Sequence, residues 1–250
     1  MSNKYDQFKD LTFDDFRRRA SDPVLSPHEK VGFPDEYREG REEAIFNDVL
    51  GKLPALSERQ RAVVEIGPGC SRLPLMLIAL CERQEHRLVL VDSLEMLAQL
   101  PDAPHVTKVA GRYPQCHTAL ETYAGQVDAL LSYSVIQYVF AEDNLWAFLD
   151  RSLALLAPGG SMLLGDIPNA SMRKRFFASE SGIRMHQQFT GQSQPPEVRF
   201  NALEPNQMDD SVVMALLLRA RAQGFHAFVV PQAPQLAMAT RREDILIRRP

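Results

Sequence analysis

Residues 63 to 77 read VVEIGPGCSRLPLML. An apolar, β-branched run ends on an acid and two glycines, and a second apolar run follows. A buried strand that turns sharply into a helix accounts for this order, because glycine lets the backbone turn tightly and approach a neighbour that a Cβ would exclude. Working outward, RAVVEIG is the strand, LPLMLIALCERQ a helix with one apolar face, and HRLVLVD a second strand. The alternation continues through SLEMLAQL (helix), VTKVAG (strand), YPQCHTALETYA (helix) and VDALLSYS, an apolar run suited to a central parallel strand covered on both faces. NLWAFLDRSLALL is an amphipathic helix, ended by APGG before the strand SMLLGDI. A polar stretch, about 168 to 206, is expected to be an inserted loop. DDSVVMALLLRARAQG then predicts a capped helix, and FHAFVVPQ and EDILIRR two closing strands.

The expected fold is α/β: an open, doubly wound Rossmann-like sheet, mostly parallel with an antiparallel C-terminal strand and helices on both faces. Residues 1 to 60 are polar and charged, with helical patterning at about 12 to 20 and 36 to 50, and form an N-terminal helical arm or lid. The main domain runs from 61 to 250. Ligands of such sheets bind beyond the carboxyl ends of the strands, where the glycine turn lies.

Composition narrows the partners. The chain has 250 residues, 45% apolar and 24% charged, and a formal charge of −4, which argues against nucleic acid as a partner. Its three cysteines, Cys70, Cys81 and Cys116, show no paired spacing, so neither a zinc site nor a disulfide framework is expected. No run is long enough to span a bilayer, and MSNKYDQFKD lacks the apolar core of a signal peptide, so a cytoplasmic location is expected. A dinucleotide fingerprint would need a small residue where Arg72 stands, and no GK[ST] of a phosphate-binding loop follows.

The acid before the glycines in EIGPGCS, the acid that ends the next strand in LVLVDSLEML, the strand VDALLSYSVIQYV and the turn-strand unit LALLAPGGSMLLGD occur in one order over roughly residues 61 to 167. In this the chain resembles the class I S-adenosylmethionine-dependent methyltransferases. The resemblance implies S-adenosyl-L-methionine as cofactor, with Glu65, Gly67 and Gly69 in the first motif and Asp92, followed by Ser93, holding the ribose hydroxyls. It implies that Gly111, Arg112 and Tyr113 meet the adenine, although Arg112 cannot accept from its amino group. Ser132 and Tyr133 fall beside the methionine end, and Gln137 and Tyr138 toward the acceptor, with Tyr138 among the catalytic residues. Ser71 replaces the third glycine of the family motif. The arm at 31 to 46 is expected to close as a lid, Tyr37 and Arg38 touching the cofactor and Arg38 its carboxylate.

VGFPDEYREGREEAIF, GDIPNASMRKRFFAS and TRREDILIRR resemble segments of methyltransferases from bacterial surface-polysaccharide and lipopolysaccharide biosynthesis clusters. That resemblance implies a small sugar or nucleotide-sugar acceptor, which Arg173, Lys174 and Arg175 would meet through an anionic group. Asp166 and His186 are the candidate general bases. No metal is expected, since no aspartate ends the fourth strand. The oligomeric state stays open, with a homodimer among the alternatives. The contrasting reading is a methyltransferase-fold scaffold or binding subunit that has lost catalysis.

Overall fold

The structure is a computed structural model that describes residues 6 to 8, 10 to 202 and 204 to 250. A 3-10 turn at Asp6–Phe8 leads into α1 (Phe13–Ser21), α2 (Pro27–Lys30), α3 (Asp35–Arg38) and α4 (Glu42–Lys52). Then come β1 (Ala62–Ile66), α5 (Arg72–Arg83), β2 (Arg87–Asp92), α6 (Leu94–Leu97), β3 (Val106–Ala110), β4 (Val127–Tyr133), α7 (Ile136–Glu142), α8 (Leu145–Leu155) and β5 (Leu156–Pro168). The chain closes with α9 (Ala170–Phe177), α10 (Glu180–Thr190), α11 (Asp210–Ala222), β6 (His226–Pro231) and β7 (Arg242–Arg248).

The seven strands form one sheet in the order β3-β2-β1-β4-β5-β7-β6. The first five pair in parallel, and β7 runs antiparallel to both β5 and β6. This is the expected doubly wound sheet. Alternate residues of each strand feed two cores: Val64, Ile66, Val89 and Val91 pack on one face with Phe148 and Leu216, and Val63, Leu88 and Leu90 on the other with Leu77. Cover on both faces explains why these strands read as unbroken apolar runs. Ile45, Val49 and Leu53, around α4, belong to the second core. The later part of the N-terminal arm is therefore a layer against the sheet, while α1 to α3 lie over its carboxyl edge.

Three local expectations need correction. The stretch at 168 to 206, expected as a loop, carries α9 and α10, whose first turns are capped by the side chains of Asn169 and Ser179 accepting from the Met172 and Gly182 N–H groups. The segment at 115 to 123 is a 3-10 helix rather than an α-helix. The APGG turn does not precede its strand but is looped out within β5, between the pairs Val127↔Leu156 and Ala129↔Ser161. Among the described residues no helix is long and apolar enough to cross a membrane.

Candidate cofactor and acceptor site

The glycine turn follows β1 at the carboxyl edge. Gly67 and Gly69 have φ of +73° and +66°, a region that side-chain-bearing residues avoid. A Cβ on Gly67 would lie 2.5 Å from Val135 Cγ2, and one on Gly69 2.6 Å from Val31 Cγ1. What stands against these backbones is therefore the protein itself: the start of the segment after β4 and a residue of the N-terminal arm. Both valines, with the two glycines, wall a cavity of about 160 Å³.

Asp92, at the end of β2, borders this cavity and accepts from the Gly69 N–H (2.9 Å) and the Ser93 N–H (2.6 Å). Burial pushes its carboxyl up to about 6, against the pull of those two donors. Glu65, in β1 just before the glycine turn, is 2% exposed, and burial, with the nearby Asp92 charge adding, pushes it up to about 8. The two acids thus divide their labour: at neutral pH Glu65 retains its proton and Asp92 carries the charge. Asp92 is consequently the acid equipped to accept from hydroxyl groups.

On the other side of β1, beyond β4, the arm closes the cavity. Arg38 donates to Ser134 Oγ (2.7 Å) and to Asp166 Oδ2 (2.5 Å), and its guanidinium lies 3.9 Å from the centre of the Phe33 ring. Ser134 and Asp166 both adopt positive φ, 60° and 59°, at the ends of β4 and β5, and Ser134 Oγ donates to the same Asp166 oxygen. His28 bridges Asp35 (3.0 Å) and Glu42 (2.6 Å). The second carboxylate oxygen of Glu42 is sealed from solvent without a hydrogen-bond partner, and Glu42 and His28 both line the cavity. Phe13, Phe16, Val31 and Phe33 supply its apolar roof.

Nine residues singled out from the sequence meet in this cavity: Arg38, Gly67, Gly69, Asp92, Gly111, Arg112, Tyr113, Tyr133 and Tyr138. Arg112, which lacks an acceptor of its own, brings one with it, since its Nε donates to Asp143 Oδ2 (2.8 Å) and Asp143 also borders the cavity. The Tyr113 hydroxyl turns away toward Ser152 Oγ (3.3 Å), leaving the ring as the wall.

Other expected positions fall elsewhere. Glu65 does not line the cavity and bears on it through Asp92. Ser132 is buried with its hydroxyl unpartnered, and Ser93 caps α6 by accepting from the Met96 N–H. Tyr37 faces a small space of about 20 Å³ behind Tyr133, and Gln137 faces a separate cleft beyond Tyr138.

Two expected bases lie outside this cavity. Asp166 is 4% exposed; burial raises its carboxyl, but the Arg242 and Arg38 guanidiniums and the donors Ser134 and Gln232 outweigh this and hold it below the ordinary carboxylate range. An acid neutralised on so many sides is an anchor for the arm and a weak proton acceptor. His186 lies on α10, its ring 6.3 Å from that of Phe177, and lines neither hollow. The basic trio is also committed: Arg173 and Lys174 pair with Glu204, and Arg175 with Asp210 (2.5 Å).

The residues that sequence reading missed are Phe13, Phe16, His28, Phe33, Glu42, Ser134 and Asp143. Ser134 and Asp143 lie near the motif of the fourth strand, and Phe33 and Glu42 within the segment expected as a lid, but none was named for a role.

No protein-family model matches the chain. Over 128 residues, half of the chain, it is 32% identical to chondramide synthase CmdD of Chondromyces crocatus, and it spans only 3% of that protein's length. Among solved structures it is similar to the N-methyltransferase NodS of Bradyrhizobium japonicum WM9 in complex with S-adenosylhomocysteine, with a TM-score of 0.58, 14% identity, and 96% and 100% of the two chains covered. The CurJ carbon methyltransferase gives 0.54, at 14% identity over 90% of this chain and 61% of that one. The methyltransferase domain of bacterial CtHen1-CN gives 0.53, at 13% identity over 84% and 98%. At such identities the likeness is one of fold, and the fold of this chain is the class I fold that these S-adenosylmethionine-dependent enzymes share.

Proposed function

We propose that the chain is an S-adenosylmethionine-dependent methyltransferase acting on a small metabolite. The observation that carries this reading is the cavity at the carboxyl edge, whose charged walls match the cofactor piece by piece. The ionised Asp92 suits the ribose hydroxyls, Arg38 the methionine carboxylate, and the orphaned oxygen of Glu42 the adjacent ammonium. Arg112 and Asp143, with the Tyr113 ring, suit the adenine end. When bound, the cofactor supplies an electrophilic methyl on a sulfonium, which passes in line to a nucleophilic atom while the C–S electrons return to sulfur and the acceptor sheds its proton.

The chain's own contribution is alignment and exclusion of water. The rings of Phe13, Phe16 and Phe33 roof the cavity, and the arm is held down by the Arg38–Asp166 and Val31–Gly69 contacts. Tyr138 borders both this cavity and the cleft beyond it, which supports a position for it between acceptor and cofactor.

A sugar or nucleotide-sugar acceptor is supported by the sequence likeness alone. The similar proteins include a carbon methyltransferase, an N-methyltransferase and a chondramide synthase, whose activities are properties of those proteins. Titration calorimetry with S-adenosylhomocysteine tests the main reading: saturable one-site binding is expected, together with slowed amide exchange across residues 28 to 46. A folded protein that takes up no heat from this ligand would leave the scaffold reading in its place.

A further inference from the structure

Beyond Tyr138 the carboxyl edge holds a second hollow, of about 480 Å³. Its walls come from well-separated segments: Phe8 and residues 10 to 12, α7, the start of α9, 206 to 208, and 238 to 242. Phe8, Leu11, Met208 and Met238 make it substantially apolar. Two polar atoms among its lining residues are sealed from solvent without a hydrogen-bond partner, Nη1 of Arg241 and Oε1 of Gln137. The other cations here are engaged: Arg242 donates to Asp166 (2.9 Å), and Arg173 to Glu204. Burial disfavours the Arg241 charge, and Arg242 and Arg173 add to this, while Tyr37 and Asp166 oppose it. A guanidinium with one sealed, idle N–H, repelled by two like charges, leaves a donor for a further anion.

We infer that this hollow receives a methyl acceptor with an apolar body and a carboxylate, the carboxylate pairing with Arg241 and an O–H or N–H of the acceptor donating to Gln137 Oε1. The inference rests on the methyltransferase reading for the word acceptor, and on the hollow itself for the carboxylate. One idle guanidinium nitrogen answers a single negative charge, which favours a carboxylate over a phosphate dianion. Gln137 is fixed for the task, because its amide nitrogen already donates to the Ser134 carbonyl (2.8 Å), which leaves its oxygen to the ligand. Tyr138, shared by both hollows, sets where the reactive atom must emerge. The anion site expected at residues 173 to 175 thus moves to the segment before β7.

The test titrates the full chain, saturated with S-adenosylhomocysteine, with benzoate, phenylacetate and salicylate, each beside its carboxamide, and with phenyl phosphate. At least one carboxylate is expected to bind about tenfold or more above its amide. Arg241→Gln should erase that preference, Arg241→Lys should keep part of it, and both variants should bind S-adenosylhomocysteine within about twofold of the wild type. Equal affinity for acid and amide, a preference that survives Arg241→Gln, or no probe binding at all overturns the inference. Tighter, Arg241-dependent binding of phenyl phosphate would overturn the carboxylate in favour of phosphate. Failure of S-adenosylhomocysteine to bind strikes the methyltransferase reading instead, and the same probes titrated alone still decide the anion site.

Discussion

The two halves of the carboxyl edge are built differently. On the β1–β2 side the cavity wall comes from short, contiguous segments: Gly67 and Gly69 directly after β1, Asp92 ending β2, Gly111 to Tyr113 directly after β3. Each contact follows from a strand end and a turn. On the β5–β7 side the wall is gathered from residues as far apart as Leu11 and Arg242, held by pairs such as Arg242 to Asp166 and Arg173 to Glu204. A half made of backbone turns concentrates its energetics in a few positions, whereas a half made of side-chain pairs spreads them. Single substitutions should therefore act strongly on the first side and weakly on the second.

The sharpest way to break this contrast is Gly67→Ala. The new methyl meets Val135 at 2.5 Å in a backbone conformation with φ of +73°, so a loss of about 2 to 4 kcal/mol in chemical denaturation is expected. Adding Val135→Ala should return part of that loss by removing the contact, leaving the backbone strain. Full recovery would mean that the conformation itself costs nothing.

Next in size, Asp92→Ala should weaken S-adenosylhomocysteine binding ten- to a hundredfold by calorimetry, in line with about 1.5 to 3 kcal/mol for hydrogen bonds to a charged group. The Gly69 N–H also loses its acceptor. Unchanged affinity in a folded variant would detach Asp92 from the ligand.

Glu65→Gln separates stability from binding through pH. An acid raised from 4.5 to about 8 holds more protons folded than unfolded between those values, so stability falls as pH rises through that window. The glutamine variant should accordingly gain on the wild type by up to about 4 kcal/mol near pH 8 and by almost nothing at pH 4.5. An equal gain at both pH values would point to packing rather than charge.

The smallest effect belongs to Arg175→Ala. Its partner Asp210 and Arg175 itself are both about half exposed, at 48% and 54%, and exposed ion pairs contribute between about 0 and 1 kcal/mol. Melting temperature should barely move, and cofactor affinity should not change. A large loss of either would place more of the site on α9 than the second half's diffuse construction allows.

What could be read from the sequence follows the same division. The sheet, its order of strands and helices, and Gly67, Gly69 and Asp92 were legible because period, turn chemistry and strand ends are local signals. Phe33, His28 and Glu42 were not, since an aromatic or an acid in a polar arm carries no mark of what it will fold onto. Asp166 was placed correctly at the end of its strand, but its ion pairs were not legible, because Arg38 and Arg242, which depress its carboxyl, arrive from 128 and 76 residues away. The helices α9 and α10 were lost in polar composition, although Asn169 and Ser179 stood at their caps. Arg241 was passed over beside the more conspicuous run at 173 to 175, whose charges find partners nearby.

The charge shared between Glu65 and Asp92 has a thermodynamic corollary. A ribose placed on Asp92 donates to the ionised carboxylate and therefore lowers its pKa from about 6. Near that pH, capture of the cofactor must expel part of a proton into the medium. Its heat then varies with the ionisation enthalpy of the buffer, and its affinity climbs as the solution becomes less acidic before levelling off above neutrality. A carboxyl raised by burial to about 6 thus makes the glycine turn a site where nucleoside and proton compete.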